Sequence, residues 1–181
     1  VSMIFQDPPS VDLPTAAAFT QIQLPAGGTF YTMETDVTNA FYLMEMPTWL
    51  RQFFTLPGIA AKHVNVTTVD GTKVGSEDLL YPTLRLLPMG WSWSLFFCQR
   101  AMQQCLREEP SLQTVRLLHD SHPNSSLAPN RPQGYVYVDN LGAVGSRIPD
   151  TRRVAELQLD ALRKKGFLFH GDDQPARDEN R

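Results

Sequence analysis

Residues 134–145 read Gly134-Tyr135-Val136-Tyr137-Val138-Asp139-Asn140-Leu141-Gly142-Ala143-Val144-Gly145. Two short arms rich in β-branched and aromatic residues flank a polar pair, which is the pattern of a β-hairpin with Asp139 and Asn140 at its tip. Neither arm shows the 3.6-residue apolar repeat of a helix. Just downstream the period changes. From about Thr151 to Lys165 the apolar residues recur at helical spacing, Asp150 is placed to cap, Lys164 and Lys165 suit the negative helix end, and Gly166 stops it. The triplet Phe167-Leu168-Phe169 then reads as a strand.

Upstream, Leu95, Cys98, Met102 and Cys105 recur at three- and four-residue steps and predict a helix that Pro110 ends. Leu84 to Leu87 reads as a buried strand leading into Pro88 and Gly90. Val64, Val66 and Thr68 alternate ahead of Asp70-Gly71, a hairpin signal with Thr72 to Val74 as the return. A strand from Phe30 runs into Asp36, and Arg51 to Gly58, after the turn at residues 46–50, suggests another. The opening is broken by Pro8, Pro9, Pro14 and Pro25, leaving room only for a short helix at 15–22 capped by Thr15. Residues 107–134 are rich in Pro, Ser, Asn and Asp and are expected as a mobile loop. Because strands and helices do not alternate, the expected class is α+β: an antiparallel sheet with helices packed on one face.

Composition agrees with one globular domain: 181 residues, 42% hydrophobic and 19% charged. No run approaches the roughly 20 apolar residues of a membrane span, and no signal peptide opens the chain, so the expectation is an intracellular protein with no membrane partner. Cys98 and Cys105 stack two turns apart on one helix, about 10 Å, too far for a disulfide. The net charge is −3, residues 1–50 hold no Lys or Arg, and only 147–165 is basic, with six basic groups against three acids. A large phosphate-binding face is therefore absent from the charge pattern.

Three segments carry the candidate chemistry: 36–41 (DVTNAF), 87–99 (LPMGWSWSLFFCQ) and 137–141 (YVDNL). Asp36 ends a strand and Asp139 sits at a hairpin tip; if those strands are neighbours, both carboxylates project from one sheet edge. Two hard oxygen ligands at an edge suit Mg²⁺ completed by waters and substrate phosphates. Two such ions, about 3.5–4 Å apart, stabilise the attacking and leaving oxygens of a phosphoryl displacement. Taken singly, each segment also has a plain structural reading, as a turn residue, an apolar helix stripe or a core aromatic.

In order and content the three segments resemble the reverse transcriptases of retroelements and retroviruses. The resemblance spans about 30–170 and corresponds to the right-hand polymerase palm of that family. It implies RNA-directed DNA polymerase chemistry: nucleotidyl transfer of a dNTP to a primer 3′-OH on an RNA or DNA template, with two Mg²⁺ ions, or Mn²⁺ in their place. The implied metal ligands are Asp36, the carbonyl of Val37, and Asp139. Phe41, five residues after Asp36, matches the aromatic that excludes a ribose 2′-hydroxyl. Met89, Gly90 and Trp91 would line nucleotide and template, with Gln99, eleven residues beyond Pro88, and Tyr137 and Val138 also in the substrate site. Lys165 matches a lysine that protonates the leaving pyrophosphate; as one of two lysines at a helix end it equally suits the helix dipole.

The departure is Asn140, where the family has a second aspartate. An amide keeps an oxygen ligand and loses a negative charge beside the cations, which predicts weakened or absent activity. Side-chain alternation places Asn140 away from the primary ligand position, and Glu34, about 6.6 Å behind Asp36, is too far back to compensate. Gly171-Asp172-Asp173 imitates the tip motif of viral RNA polymerases but lacks apolar arms, and a ribonucleotide-using replicase conflicts with Phe41. His63, His119, His122 and His170 lack ligand spacing and read as surface residues. Asn65-Val66-Thr67 matches a glycosylation sequon by pattern only.

The resemblance leaves 1–29 as a partial fingers and palm-leading segment and 171–181 as a polar tail. It also implies fingers, thumb and RNase H segments elsewhere in a parent polyprotein, of which this chain is expected to be a fragment. The alternative to an enzyme is a catalytically dead retroelement relic or nucleic-acid-binding domain.

Overall fold

The computed structural model describes residues 4–121 and 126–170. The central sheet has three antiparallel strands in the order β1 (Tyr31–Asp36), β7 (Asn140–Gly145), β6 (Gln133–Tyr137). Between β1 and β6 lie the short strands β2 (Ile59–Ala60), β3 (Thr68–Val69), β4 (Thr72–Lys73) and β5 (Leu79–Leu80). The helices are α1 (Ala16–Thr20), α2 (Thr48–Arg51), α3 (Ser92–Glu108) and α4 (Ile148–Arg163). The expected α+β class with an antiparallel sheet is what the chain forms. Among the described residues no helix is long and apolar enough to cross a membrane.

The middle strand β7 is nearly continuous in small and apolar residues because it is covered on both faces. On one face α3 and α4 pack, burying Leu141, Val136, Met102, Leu106, Ala161 and Leu162 in one cluster. On the other face α1 and residues near Leu118 and Leu127 cover Val144 and Tyr135, with the rings of Phe19 and Tyr135 5.2 Å apart. Helices thus lie mainly on one face, as expected, and α1 covers the far end of the other. Gly142 permits this packing: a Cβ there would strike the Met33 carbonyl oxygen and lie 2.6 Å from the Tyr135 hydroxyl.

Local signals behave as their chemistry dictates. Thr15 Oγ1 accepts the Ala17 N–H as the cap of α1. Asp70 and Gly71 take φ of 49° and 79°, the left-handed pair that lets β3 return as β4. Gly166 (φ 89°) ends the last helical turn. α4 begins earlier than expected, with Arg147 in the cap position and Asp150 in the first turn rather than at the cap.

Residues 51–58 are a correction. Instead of a strand, α2 continues into a 3₁₀ turn at Gln52–Phe54. Met46, Leu50 and Phe54 are the buried positions, a four-residue spacing that seats one helical face in a cluster with Leu87 and Trp91. Residues 84–87 are extended but form only a bridge, Glu45 opposite Leu86, fastened by Met46 N–H to the Arg85 carbonyl at 2.8 Å. In 107–134, expected as a mobile loop, the described residues have little regular structure but are anchored. Leu112, Leu118 and Leu127 are buried, and Leu118 N–H donates to the Gly134 carbonyl at 2.7 Å. The 171–173 motif lies outside the described residues.

Candidate active site

The β6–β7 hairpin closes one residue earlier than its sequence suggests. Tyr137 pairs with Asn140, so the two turn residues are Val138 and Asp139, and Asn140 already belongs to the ladder. Val138 has φ 58°, a left-handed conformation that is costly for a β-branched side chain. α3 holds it there. The Val138 N–H donates to Gln99 Oε1 at 2.6 Å, Gln99 Nε2 donates to the Val136 carbonyl at 2.9 Å, and the Cys98 thiol reaches the Val138 carbonyl at 3.6 Å.

Beside this tip runs the end of β1. Asp36 is the register partner of Asn140, and the Val37 N–H donates to the Asp139 carbonyl at 2.8 Å. Two acidic residues about a hundred positions apart thereby meet at one sheet edge. Cross-strand partners share a face, so Asn140 stands on the Asp36 side of the sheet. This corrects the alternation argument: Asp139 lies in the turn, outside the pleat that alternation describes. The Asn140 amide donates to Asp139 Oδ1 at 3.3 Å, and Glu34, opposite Gly142, lies two residues back along β1.

His170, read from sequence as a surface residue, has Nε2 3.2 Å from Asp36 Oδ2. It arrives there because the 167–169 segment lies beside β1's continuation, with Phe169 bridged to Val37 and the Thr38 N–H donating to the Leu168 carbonyl at 2.8 Å. Residues 167–169, expected as a strand, form only that isolated bridge, since one pairing position is all that the end of β1 offers; the apolar triplet was the only clue. No spacing among the histidines carried it.

The other expected site residues divide. Met89 is 66% exposed and Gly90 takes φ 86°, so the turn before α3 stands open. Tyr137 is also exposed, while Phe41 is half-buried between two core clusters. Trp91, expected to line nucleotide and template, is interior: it is 6% exposed, 4.8 Å from the Phe54 ring and 5.4 Å from Phe5. Gln99 is fully buried and acts on the hairpin tip rather than as an exposed substrate contact. Val138, likewise interior, presents backbone to α3. Lys165 Nζ lies 2.7 Å from Glu108 Oε2, at the C-terminal end of α3. Glu108 is nine residues past Gln99, about 14 Å along the helix axis, so the structure does not bring Lys165 to the acidic edge.

Burial, and then the charge of Asp139, push the Cys98 thiol up to about 12, which keeps it neutral and unreactive. Among the described residues no group of three or more His, Cys, Asp and Glu side chains is placed to hold a metal ion. A Mg²⁺ site of the expected kind needs only one or two carboxylates, because water and phosphate supply the rest. The half-exposed carboxylate of Asp36, and that of Asp139 on the turn tied by its backbone to Val37, are acids of the kind that donor set needs. No protein-family model matches the chain, and no curated protein is significantly similar to it.

Proposed function

We propose that this chain is the palm of an RNA-directed DNA polymerase, adding a dNTP to a primer 3′-OH. The observation that carries the reading is the β1–β7 register, which sets Asp36 opposite Asn140 and ties Val37 to Asp139. Asp36 and Asp139 would hold the Mg²⁺ ions, with the Val37 carbonyl as the further candidate. When bound, such a pair stabilises the attacking and leaving oxygens of the displacement.

The chain's own residues bind and orient. The clamp from Gln99 to Val138 presets the tip, so that Asp139 does not have to be ordered when substrate arrives. The exposed turn at Met89 and Gly90 offers backbone to a base pair, and the Phe41 ring narrows the sugar site against a 2′-hydroxyl. The partners on this reading are a template with primer, a dNTP, and the fingers and thumb of a longer protein.

One observation favours the rival reading of a non-catalytic relic: the residue facing Asp36 across the ladder is an amide, Asn140, where a second carboxylate would double the negative charge. Primer extension on an RNA template decides between them. Mg²⁺-dependent dNTP incorporation that Asp36→Asn abolishes supports the polymerase. Incorporation untouched by Asp36→Asn removes the assignment, and absence of Mg²⁺-dependent dNTP binding after Asn140→Asp in a longer protein that includes the fingers and thumb establishes the relic.

A further inference from the structure

The end of the sheet remote from the acidic edge carries the opposite charge. From Asn140 to Gly145, β7 has six residues, so its ends lie about 17 Å apart. At that far end a cavity of about 680 Å³ opens between the start of β6, the first turns of α4 and the segment that follows α3. Arg116, Arg131 and Arg153 line it, and none of them has an ion pair among the described residues. One carboxylate, that of Asp150, is also present; its Oδ2 is buried without a hydrogen-bond partner and 3.5 Å from Arg147 Nε, a fourth guanidinium that partly balances its charge.

Three guanidinium groups around one cavity repel one another unless an anion joins them, and their planar donor forks match phosphate oxygens. The wall adds a second, independent feature. Gln133 is 5% exposed, and its Oε1 is buried without a hydrogen-bond partner. A buried carbonyl oxygen left unpaired is costly, and a turn of the Gln133 side chain towards the cavity it lines would let a ligand N–H or O–H satisfy it.

We propose that this cavity binds a small phosphorylated ligand of nucleotide size. Arg116, Arg131 and Arg153 take the phosphates, and Gln133 Oε1 accepts a hydrogen bond from the base or sugar. The volume is that of an ordinary small-molecule site. Arg116, Arg131 and Arg153 converge on one hollow, while Arg100, Arg107 and Arg152 line others, so the three mark a compact site for a small anion. The site is separate from the acidic edge and does not depend on polymerase activity.

Calorimetric titration of the 181-residue chain with ADP tests it, run with EDTA so that no metal bridges ADP to Asp36 or Asp139. The expected result is a Kd below about 1 mM, weaker binding of inorganic phosphate and of adenosine, and a loss of about tenfold in each of Arg116→Gln and Arg153→Gln. Both arginines are exposed, so unchanged far-UV circular dichroism is expected for each variant. No ADP binding in that range, or an affinity unchanged in both variants, overturns the proposal. So does tighter binding of a single-stranded oligonucleotide that the same substitutions abolish, because the arginines would then serve a nucleic-acid backbone.

Discussion

Gln99 Oε1 accepts the backbone N–H of Val138 at 2.6 Å, so that a side chain in the middle of α3 holds a β-branched residue in the left-handed conformation at the hairpin tip. The same amide donates to the Val136 carbonyl, and the residue is fully buried. The tip that carries Asp139 is therefore positioned by tertiary contact as well as by its own turn chemistry.

Replacing Gln99 by Met keeps the volume and strands a buried N–H and a buried carbonyl. The expected cost is about 2–4 kcal/mol, read as a lower urea midpoint with unchanged slope. Hydrogen exchange at Val138 should quicken more than at Leu141. A loss confined to the global midpoint, with the tip still protected, would show that the clamp does not position Asp139.

At Gly142 a methyl group has nowhere to go, since the Met33 carbonyl and the Tyr135 ring occupy its place. Gly142→Ala in the middle strand is expected to destabilise by about 3 kcal/mol or more. Soluble yield and the denaturation midpoint report it. Gly27→Ala, where a Cβ meets nothing within 4 Å, pays only the strain of its φ of 73° and serves as the mild control.

Burial raises the Cys98 thiol from 9.0 to about 12. A thiol whose folded value lies above its unfolded one contributes stability that is intact below pH 9 and declines as pH climbs towards 12. The urea midpoint of the native chain should fall between pH 8 and pH 10.5 more steeply than that of Cys98→Ala. Native Cys98 should also resist thiol reagents at pH 8, and unfolding should expose it.

Lys164 pairs with Glu109 and Lys165 with Glu108, joining the ends of α4 and α3. Both glutamates are held below their ordinary 4.5, chiefly by hydrogen bonds from those lysines. Their contribution is present above about that value and disappears as pH falls below it. Lys164, Lys165 and Glu108 are exposed and only Glu109 is partly covered, so the effect is small and salt-screened. Lys165→Ala should lower acid stability slightly and leave any nucleotide incorporation unchanged. A large loss of incorporation at unchanged stability would return Lys165 to the chemistry.

Much of the site was legible because its parts are local. The hairpin, the helix after it and the one before Pro110 follow from apolar spacing over four to ten residues, and Gly71 and Gly166 from backbone conformation that L-residues avoid. Trp91 was placed at nucleotide and template by the resemblance alone. Its ring lies inside because Phe5 and Phe54, far away in the chain, close over it. His170 was missed for the same reason: its partner Asp36 is 134 residues away.

By itself the sequence determined the hairpin at 134–145, the turn at Asp70-Gly71, the two long helices, and that acids sit at a strand end and a hairpin tip, since these depend on dihedral preference and apolar period within a few residues. Only the tertiary structure decided that β1 lies beside β7, that Asn140 rather than Asp139 faces Asp36, and that Lys165 is held at the far end of α3. Strand pairing across a hundred residues is selected by burial on both faces of the sheet, and that selection acts on the folded whole.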